Sequence, residues 1–455
     1  MRYLRNCPQT ESPARLSHSS VSLPKDELTK LSGLSVVVFA LCFLINAIDG
    51  INVTLISYLA APIAHEWNLA PTKLGVVFSA LLGGMAAGGI LIAPLADRFG
   101  RRRLILSSLL TMSFGMILSG LAAQFPVFLF ARMIVGVGLG AILACIAALV
   151  TEFSPSHLRT TAVALLQGGY PLGAAGTGFV TVWALAHFSW RAILLCSGAV
   201  SLAFFPAVFF LLPESMAFLT YAQPSGSLER VNKIRARLSL DPFTVFPAAA
   251  RGRAAELGAK GLLHRQLLAQ TLPLWMAIFC GFAALYAVMS WIPRLAMDAG
   301  LSAHSGLVAG AVYNFGAFAG TVALGVLSTR CNLQRLIVSF FVAAAILLIV
   351  FGAVAMPTGL VLFVVGCIGI SLQGGFNGIY PLMATLYPAR IRSAGIGWAI
   401  GVGRAGAFLG PLLTGFILSL HTVRMILLAL LAIFLLVASA SILAIREGED
   451  AVTAD

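Results

Sequence analysis

Ala93–Arg103 reads APLADRFGRRR, and Gly325–Arg335, displaced by 232 residues, reads GVLSTRCNLQR. Both follow a long apolar run and both close on a basic end, with Thr329 standing in the second where Asp97 stands in the first. A second pair of loops, ending in Arg159 and Arg392, is displaced by 233 residues, as are Gly136 and Gly369 in the apolar runs just before them. Loops far apart in the chain that share nearly one offset mark a duplicated unit.

Outward from these loops the chain is apolar. Of its 455 residues 59% are hydrophobic and only 10% charged, with a mean hydropathy of +0.97, values that no soluble globular domain approaches. Runs of about 20 apolar residues, enough to cross a hydrocarbon core about 30 Å thick, number about twelve. They fall at about 35–60, 73–96, 104–123, 127–150, 161–184, 191–212, 269–293, 305–328, 334–354, 359–382, 394–419 and 423–445. The fold class is therefore an all-α membrane protein of twelve transmembrane helices in two six-helix repeats. Residues 1–34 form a polar N-terminal tail without the apolar core of a signal peptide, 35–212 the first bundle, 213–268 a linker loop, 269–445 the second bundle and 446–455 a C-terminal tail.

Charge sets the orientation. With the N-terminus in the cytoplasm, cytoplasmic segments hold 23 of the 29 Lys and Arg, whereas the other face holds Lys73, Arg191, Arg294 and Arg424. Both termini are then cytoplasmic, and the net charge of +13 needs no nucleic-acid partner. Parallel repeats of this kind surround a central cavity in alternating-access carriers.

Three ionisable residues lie deep in the spans. Asp49 in the first is the single deep carboxylate among sixteen acids, at a cost of roughly 2.5–3.5 kcal/mol on translocon scales, so it is a functional-site candidate. Arg132 in the fourth and Arg404 in the eleventh are the deep cations, one in each half. A guanidinium fork matches a carboxylate, so an anion is the economical partner, with Arg404 as its anchor. Arg132 is expected to pair with Asp49, as a structural staple or as a switch released on protonation. Tyr286, Trp291, Gln373, Phe376, Asn377 and Trp398 are the aromatic and amide groups near the expected cavity, with Trp398 and Asn377 preferred as substrate contacts. Gly136, Gly138 and Gly140 follow Arg132 and allow close helix approach.

LADRFGRRR at Leu95–Arg103 resembles the loop signature of the major facilitator superfamily, and the likeness extends over essentially the whole chain, with Ala93 where the superfamily usually has Gly. The resemblance implies a cytoplasmic gate made by Asp97, Arg98, Gly100 and Arg101, joined by Glu152 and Arg159 of TEFSPSHLR (Thr151–Arg159). NAIDGINVTLISYLAAPIAHEW (Asn46–Trp67), SWIP (Ser290–Pro293), LPESMAFL (Leu212–Leu219) and YPARIRSAGIGWAIGVGRAGAFLGPLLTG (Tyr387–Gly415) together resemble the aromatic acid:proton symporters. Where that family's first span usually carries Asp-Gly-x-Asp, this chain has Asp49 and then Asn52. Asn can hydrogen-bond a substrate but carries no proton, so proton handling falls on Asp49 and Asn52 becomes a substrate contact.

Other chemistries are set aside. The seven His lie at span ends or in loops, and the seven Cys show no metal or redox spacing, so neither a cofactor nor a metal is expected. No phosphate-binding loop or nucleophile elbow occurs, which argues against an ATP-driven pump or a membrane hydrolase. The resemblance implies a monomeric bacterial inner-membrane symporter, not an enzyme, that couples protons to uptake of a benzoate- or hydroxybenzoate-like acid. A carrier for a non-aromatic organic anion, such as a dicarboxylate or sugar acid, is the alternative; a transporter-derived sensor would require a signalling domain.

Overall fold

A computed structural model describes residues 28, 30–246, 265–386, 392–420 and 424–445. All regular structure among them is helical. The long helices are α1 (Gly33–Trp67), α2 (Pro71–Ala87), α3 (Arg101–Leu121), α4 (Phe125–Glu152), α5 (Arg159–His187), α6 (Trp190–Ala203, extended by Phe205–Leu211), α7 (Arg265–Asp298), α8 (Ala303–Leu327), α9 (Leu333–Ala353), α10 (Thr358–Leu386), α11 (Arg392–Ser419) and α12 (Arg424–Ala444). Eleven are long and apolar enough to cross a membrane; α5 is less apolar, yet at 29 residues it is as long as the others. Several overrun the apolar windows that identify them: α1 starts before residue 35 and runs to Trp67, and α7 spans 34 residues.

The duplicated offset has a packing meaning. A methyl on Gly136 of α4 would overlap the Leu81 carbonyl oxygen of α2, and one on Gly369 of α10 would overlap the Tyr313 carbonyl oxygen of α8. Gly173 of α5 sits in the same way on Ala47 of α1, as does Gly410 of α11 on Ala283 of α7. Without side chains at these points the backbones approach to van der Waals contact, which in a membrane drives helix association better than apolarity does. Each half is thus built on the same two glycine seams.

The halves meet through α1–α7, α2–α11 and α5–α8. Ser57 donates to the Ser290 carbonyl at 2.7 Å, Ser79 to the Phe408 carbonyl at 2.6 Å, and Asn314 to the Tyr58 hydroxyl at 3.2 Å. Phe78 of α2 and Trp291 of α7 add an edge-on ring contact at 5.2 Å. All lie toward the face opposite the one where α1 starts and α12 ends. Toward that terminal face the halves part: on the side of α11 that meets α2 at Phe408 and Gly415, Gly397 and Gly401 have no described atom within 4 Å of a would-be Cβ, and Ile90 and Leu91, just beyond α2, stand exposed. A cleft therefore opens to the terminal face and closes on the far one. Along it α2 ends in a π-helical turn, Gly88–Ile92, and a 3-10 turn, Ala93–Leu95. Such breaks mark helices whose register is under functional constraint.

Part of the linker read as a loop is helical: Met216–Tyr221, capped by Ser215, and Ser227–Arg237. Residues 247–264 of that linker, residues 1–27 of the N-terminal tail and the C-terminal tail 446–455 lie outside the described residues, as does Arg390.

Candidate functional site

Arg404 is carried two turns deeper than the exposed Gly397 on α11, and its guanidinium lies over the Phe282 ring at 5.9 Å with one terminal nitrogen 4.0 Å from Met85 Sδ of α2. Asp49 of α1, Tyr286 of α7 and Tyr380 of α10 are within its electrostatic reach. The rings form a shelf. Phe282 stacks on Tyr286 at 5.9 Å, meets Phe376 edge-on at 4.7 Å, and Phe376 meets Tyr380 at 5.7 Å. Asp49 is 2% exposed, its Oδ1 has no hydrogen-bond partner, and among the described residues neither it nor Arg404 forms an ion pair at contact distance. A carboxylate withdrawn from water without a direct partner, as Asp49 is, is costly, while the half-buried Arg404 has the Tyr286 side chain as a hydrogen-bond partner. The arrangement is a cation above an aromatic shelf, facing a carboxylate across the interface of the two halves.

Several expected contacts take other places. Arg132 does not pair with Asp49: it is 1% exposed, and its terminal nitrogens go to the Asn52 carbonyl oxygen and Met116 Sδ, each at 3.0 Å. Its position on α4 turns it into the first half's own core, toward α3 and the backbone of α1. Asn52 is likewise not in the cleft. Its Oδ1 accepts from Ser197 at 2.9 Å, its Nδ2 donates to Ser201 at 3.4 Å, and the fully buried amide ties α1 to α6. Trp398 is 48% exposed and stacks on Trp275 at 6.3 Å. Six residues at about 100° each put it about 120° round α11 from Arg404, on the side of exposed Ala405 rather than beside the anchor. Asn377 donates to Thr321 at 2.9 Å and accepts from Gln373 at 3.2 Å, so its amide is engaged in the α8–α10 seam. Trp291 belongs to the far closure, donating within its own half to the Pro411 carbonyl at 3.2 Å. Tyr286 and Phe376 do reach the site.

At the terminal face Arg101 forms an ion pair with Glu152, whose carboxylate also accepts from Ser215 Oγ at 2.8 Å. Glu214 accepts from the backbone N–H groups of Arg102 and Ser215, at 3.0 and 2.9 Å. Gly100 has φ of +99°, and a side chain there would meet Glu214, so this junction of α2 and α3 requires glycine twice over. These contacts join the first half to the start of the linker and do not reach the second half. Asp97 and Arg98 are exposed; Asp97 has no ion pair among the described residues, and Arg98 lies over the Phe99 ring at 5.4 Å. Arg159 turns back to the Ser154 carbonyl at 3.4 Å instead of joining the cluster.

Sequence reading missed Phe282, Tyr380, Met85, Ser197, Ser201, Glu214 and Ser215. Two were within reach of a simple signal, since Phe282 precedes Tyr286 by one turn and Tyr380 follows Phe376 by one, which puts each pair on one helix face. Ser197 and Ser201 carry none, because a serine in an apolar helix more often bonds its own backbone.

Residues 42–385 match the model of the Major Facilitator Superfamily. The gallate transporter of Pseudomonas putida is 28% identical over 90% of this chain and 91% of its own length. The 4-hydroxybenzoate transporter PcaK of Acinetobacter baylyi is 31% identical over 84% of each, and the 3-(3-hydroxy-phenyl)propionate transporter of Escherichia coli 30% identical over 84% and 87%. In structure the chain is similar to the xylose transporter XylE of Escherichia coli in a partially occluded inward-open conformation, with a TM-score of 0.72 over 90% of this chain and 97% of that one at 16% identity. The shared fold, the family match and these relatives place the chain in the major facilitator superfamily, as a membrane transporter and not an enzyme, among relatives that are aromatic-acid transporters.

Proposed function

We propose that this protein imports a small aromatic carboxylate together with a proton across a bacterial inner membrane. The observation that carries the reading is Arg404, a guanidinium over the Phe282–Phe376 shelf with no carboxylate in contact among the described residues. An aromatic acid offers both complements at once, a planar anion for the fork and a ring for the shelf. The positive-inside distribution puts the terminal face in the cytoplasm, so the cleft is inward-facing. The bundles 35–212 and 269–445 then rock about the site, working as a monomer in the bilayer, with 213–268 as their tether.

Coupling follows from charge balance. In the empty carrier Asp49 is the carboxylate that faces Arg404 across the interface, so the pair returns as a neutral unit. Protonating Asp49 from outside leaves Arg404 uncompensated, and the substrate carboxylate takes the role of counter-ion. Proton and anion thus cross together, and either alone leaves a net charge in a low-dielectric site. Arg132, held by Asn52 and Met116, supports the helix that carries Asp49 and does not exchange partners.

The test is uptake of radiolabelled 4-hydroxybenzoate and benzoate into proteoliposomes, with and without an inward proton gradient. Accumulation that requires the gradient and is competed only by aromatic acids is the expected result. Competition by dicarboxylates or sugar acids alone would overturn it.

A further inference from the structure

A second cavity, of about 380 Å³, lies on the far side of the closure from the residues around Arg404, and the Ser57–Ser290 bond stands at its edge. Its volume falls in the range of small-molecule sites, roughly 300–1,000 Å³. The walls are apolar, made by Leu74, Phe78, Trp291, Met297 and Leu307; Ser57 and Ser290 form the floor, and His65 and Arg294 stand at the exposed mouth. Arg294 spends one edge of its guanidinium on Asp298, Nε to Oδ1 at 3.0 Å, and its terminal amino groups have no hydrogen bond among the described residues. Glu66, next in the chain to His65, is engaged elsewhere, with one oxygen on Arg191 and the other on Trp190 Nε1, each at 2.6 Å. The mouth therefore presents a free cationic edge, and the interior an aromatic and aliphatic wall.

Geometry connects this cavity to the central site. Arg294, Ser290 and Tyr286 recur every four residues down one face of α7. Arg294 marks the mouth, Ser290 the closure and Tyr286 the neighbourhood of Arg404. Eight residues of helix set Arg294 about 12 Å along the axis from Tyr286, which neighbours Arg404. We infer that this cavity is an outer capture site for the same aromatic carboxylate, with the carboxylate on the terminal edge of Arg294 and the ring against Trp291 and Phe78, occupied while the central site still faces inward. An acid held there is in place to slide one helix turn at a time to Arg404 when the closure parts. The inference rests on the aromatic-acid reading above for its ligand, and its test separates the two.

Equilibrium binding of radiolabelled 4-hydroxybenzoate to the purified full-length protein in nanodiscs counts the sites. Two per protein are expected in the wild type, one in Arg404→Ala, and one in the charge-balanced variant Arg294→Gln/Asp298→Asn, in which outer affinity falls at least about tenfold with the loss of a charge-assisted hydrogen bond. Leu307→Trp fills the cavity without touching a charge and should remove the same site, which guards against a misfolded charge variant. A single site lost in Arg404→Ala and untouched by the other two variants would overturn the capture site and leave the central one standing. A single site lost only in the Arg294 and Leu307 variants would uphold the capture site and overturn the central anchor. No binding in any protein would overturn both.

Discussion

Replacing Ser57 and Ser79 together by alanine should open the far closure. Their hydroxyls bond across the halves there, to the carbonyls of Ser290 and Phe408 at 2.7 and 2.6 Å, and Ser57 also reaches the Met289 carbonyl at 3.3 Å. The Ser290 and Phe408 carbonyls lie within continuous helices, so truncation leaves them their intrahelical partners, while the Met289 carbonyl, which Pro293 leaves without a helical N–H, loses its donor and adds to the cost. Each bond is then worth about 1 kcal/mol, and about 2 kcal/mol together. At 1.4 kcal/mol per decade the ratio of far-open to far-closed protein rises about 30-fold, or about tenfold if the freed serines of the wild type bond their own helix in the open state. Double electron–electron resonance between spin labels at the exposed positions Ala61 and Ala303 on the two sides of the closure reads the shift as a new, longer distance. Ser119→Ala is the control, because among the described residues that hydroxyl bonds only the Gly115 carbonyl of its own helix. A change below twofold in the double variant, or an equal change in the control, would refute the assignment of these bonds as the latch.

Other substitutions test the central site and its scaffold. Arg404→Lys keeps the charge but loses the planar fork, so affinity for the aromatic acid should fall about tenfold in a binding titration; an unchanged affinity speaks against carboxylate docking there. Asp49→Asn should retain exchange of labelled for unlabelled acid across the membrane while abolishing accumulation against a gradient, and persistent uphill uptake would remove Asp49 from the coupling. Asn52→Ala cuts the ties to Ser197 and Ser201 in a buried core, so the thermal unfolding temperature should drop while substrate affinity stays within about twofold. Gly136→Ala drives a methyl into the Leu81 backbone, a strain of about 1–3 kcal/mol or more that lowers the yield of folded protein, whereas Gly176→Ala, with no described atom within 4 Å, should be silent in the same assay.

The amino-acid sequence by itself determined the class of this molecule. Span number follows from the length of apolar runs against a fixed bilayer thickness, and the repeat follows from an offset that Gly136 and Gly369 obey because each fills the same place in its half. Asp49 and Arg404 were legible for the same reason: a charge in hydrocarbon is conspicuous in one dimension. Which neighbour each residue faces was decided only by tertiary structure. Spans as apolar as α1, α4 and α11 have apolar residues all round, so no polar stripe tells the cleft from the lipid or from the bundle core. Asp49 and Asn52 are one turn apart, yet the first faces Arg404 and the second locks onto α6; Arg132, read as the partner of Asp49, lies among Asn52, Met116 and the core of its own half. The rotation of each helix is set by glycine seams such as Gly173 on Ala47 and Gly410 on Ala283, where backbone meets backbone, and these contacts exist only once the helices are packed.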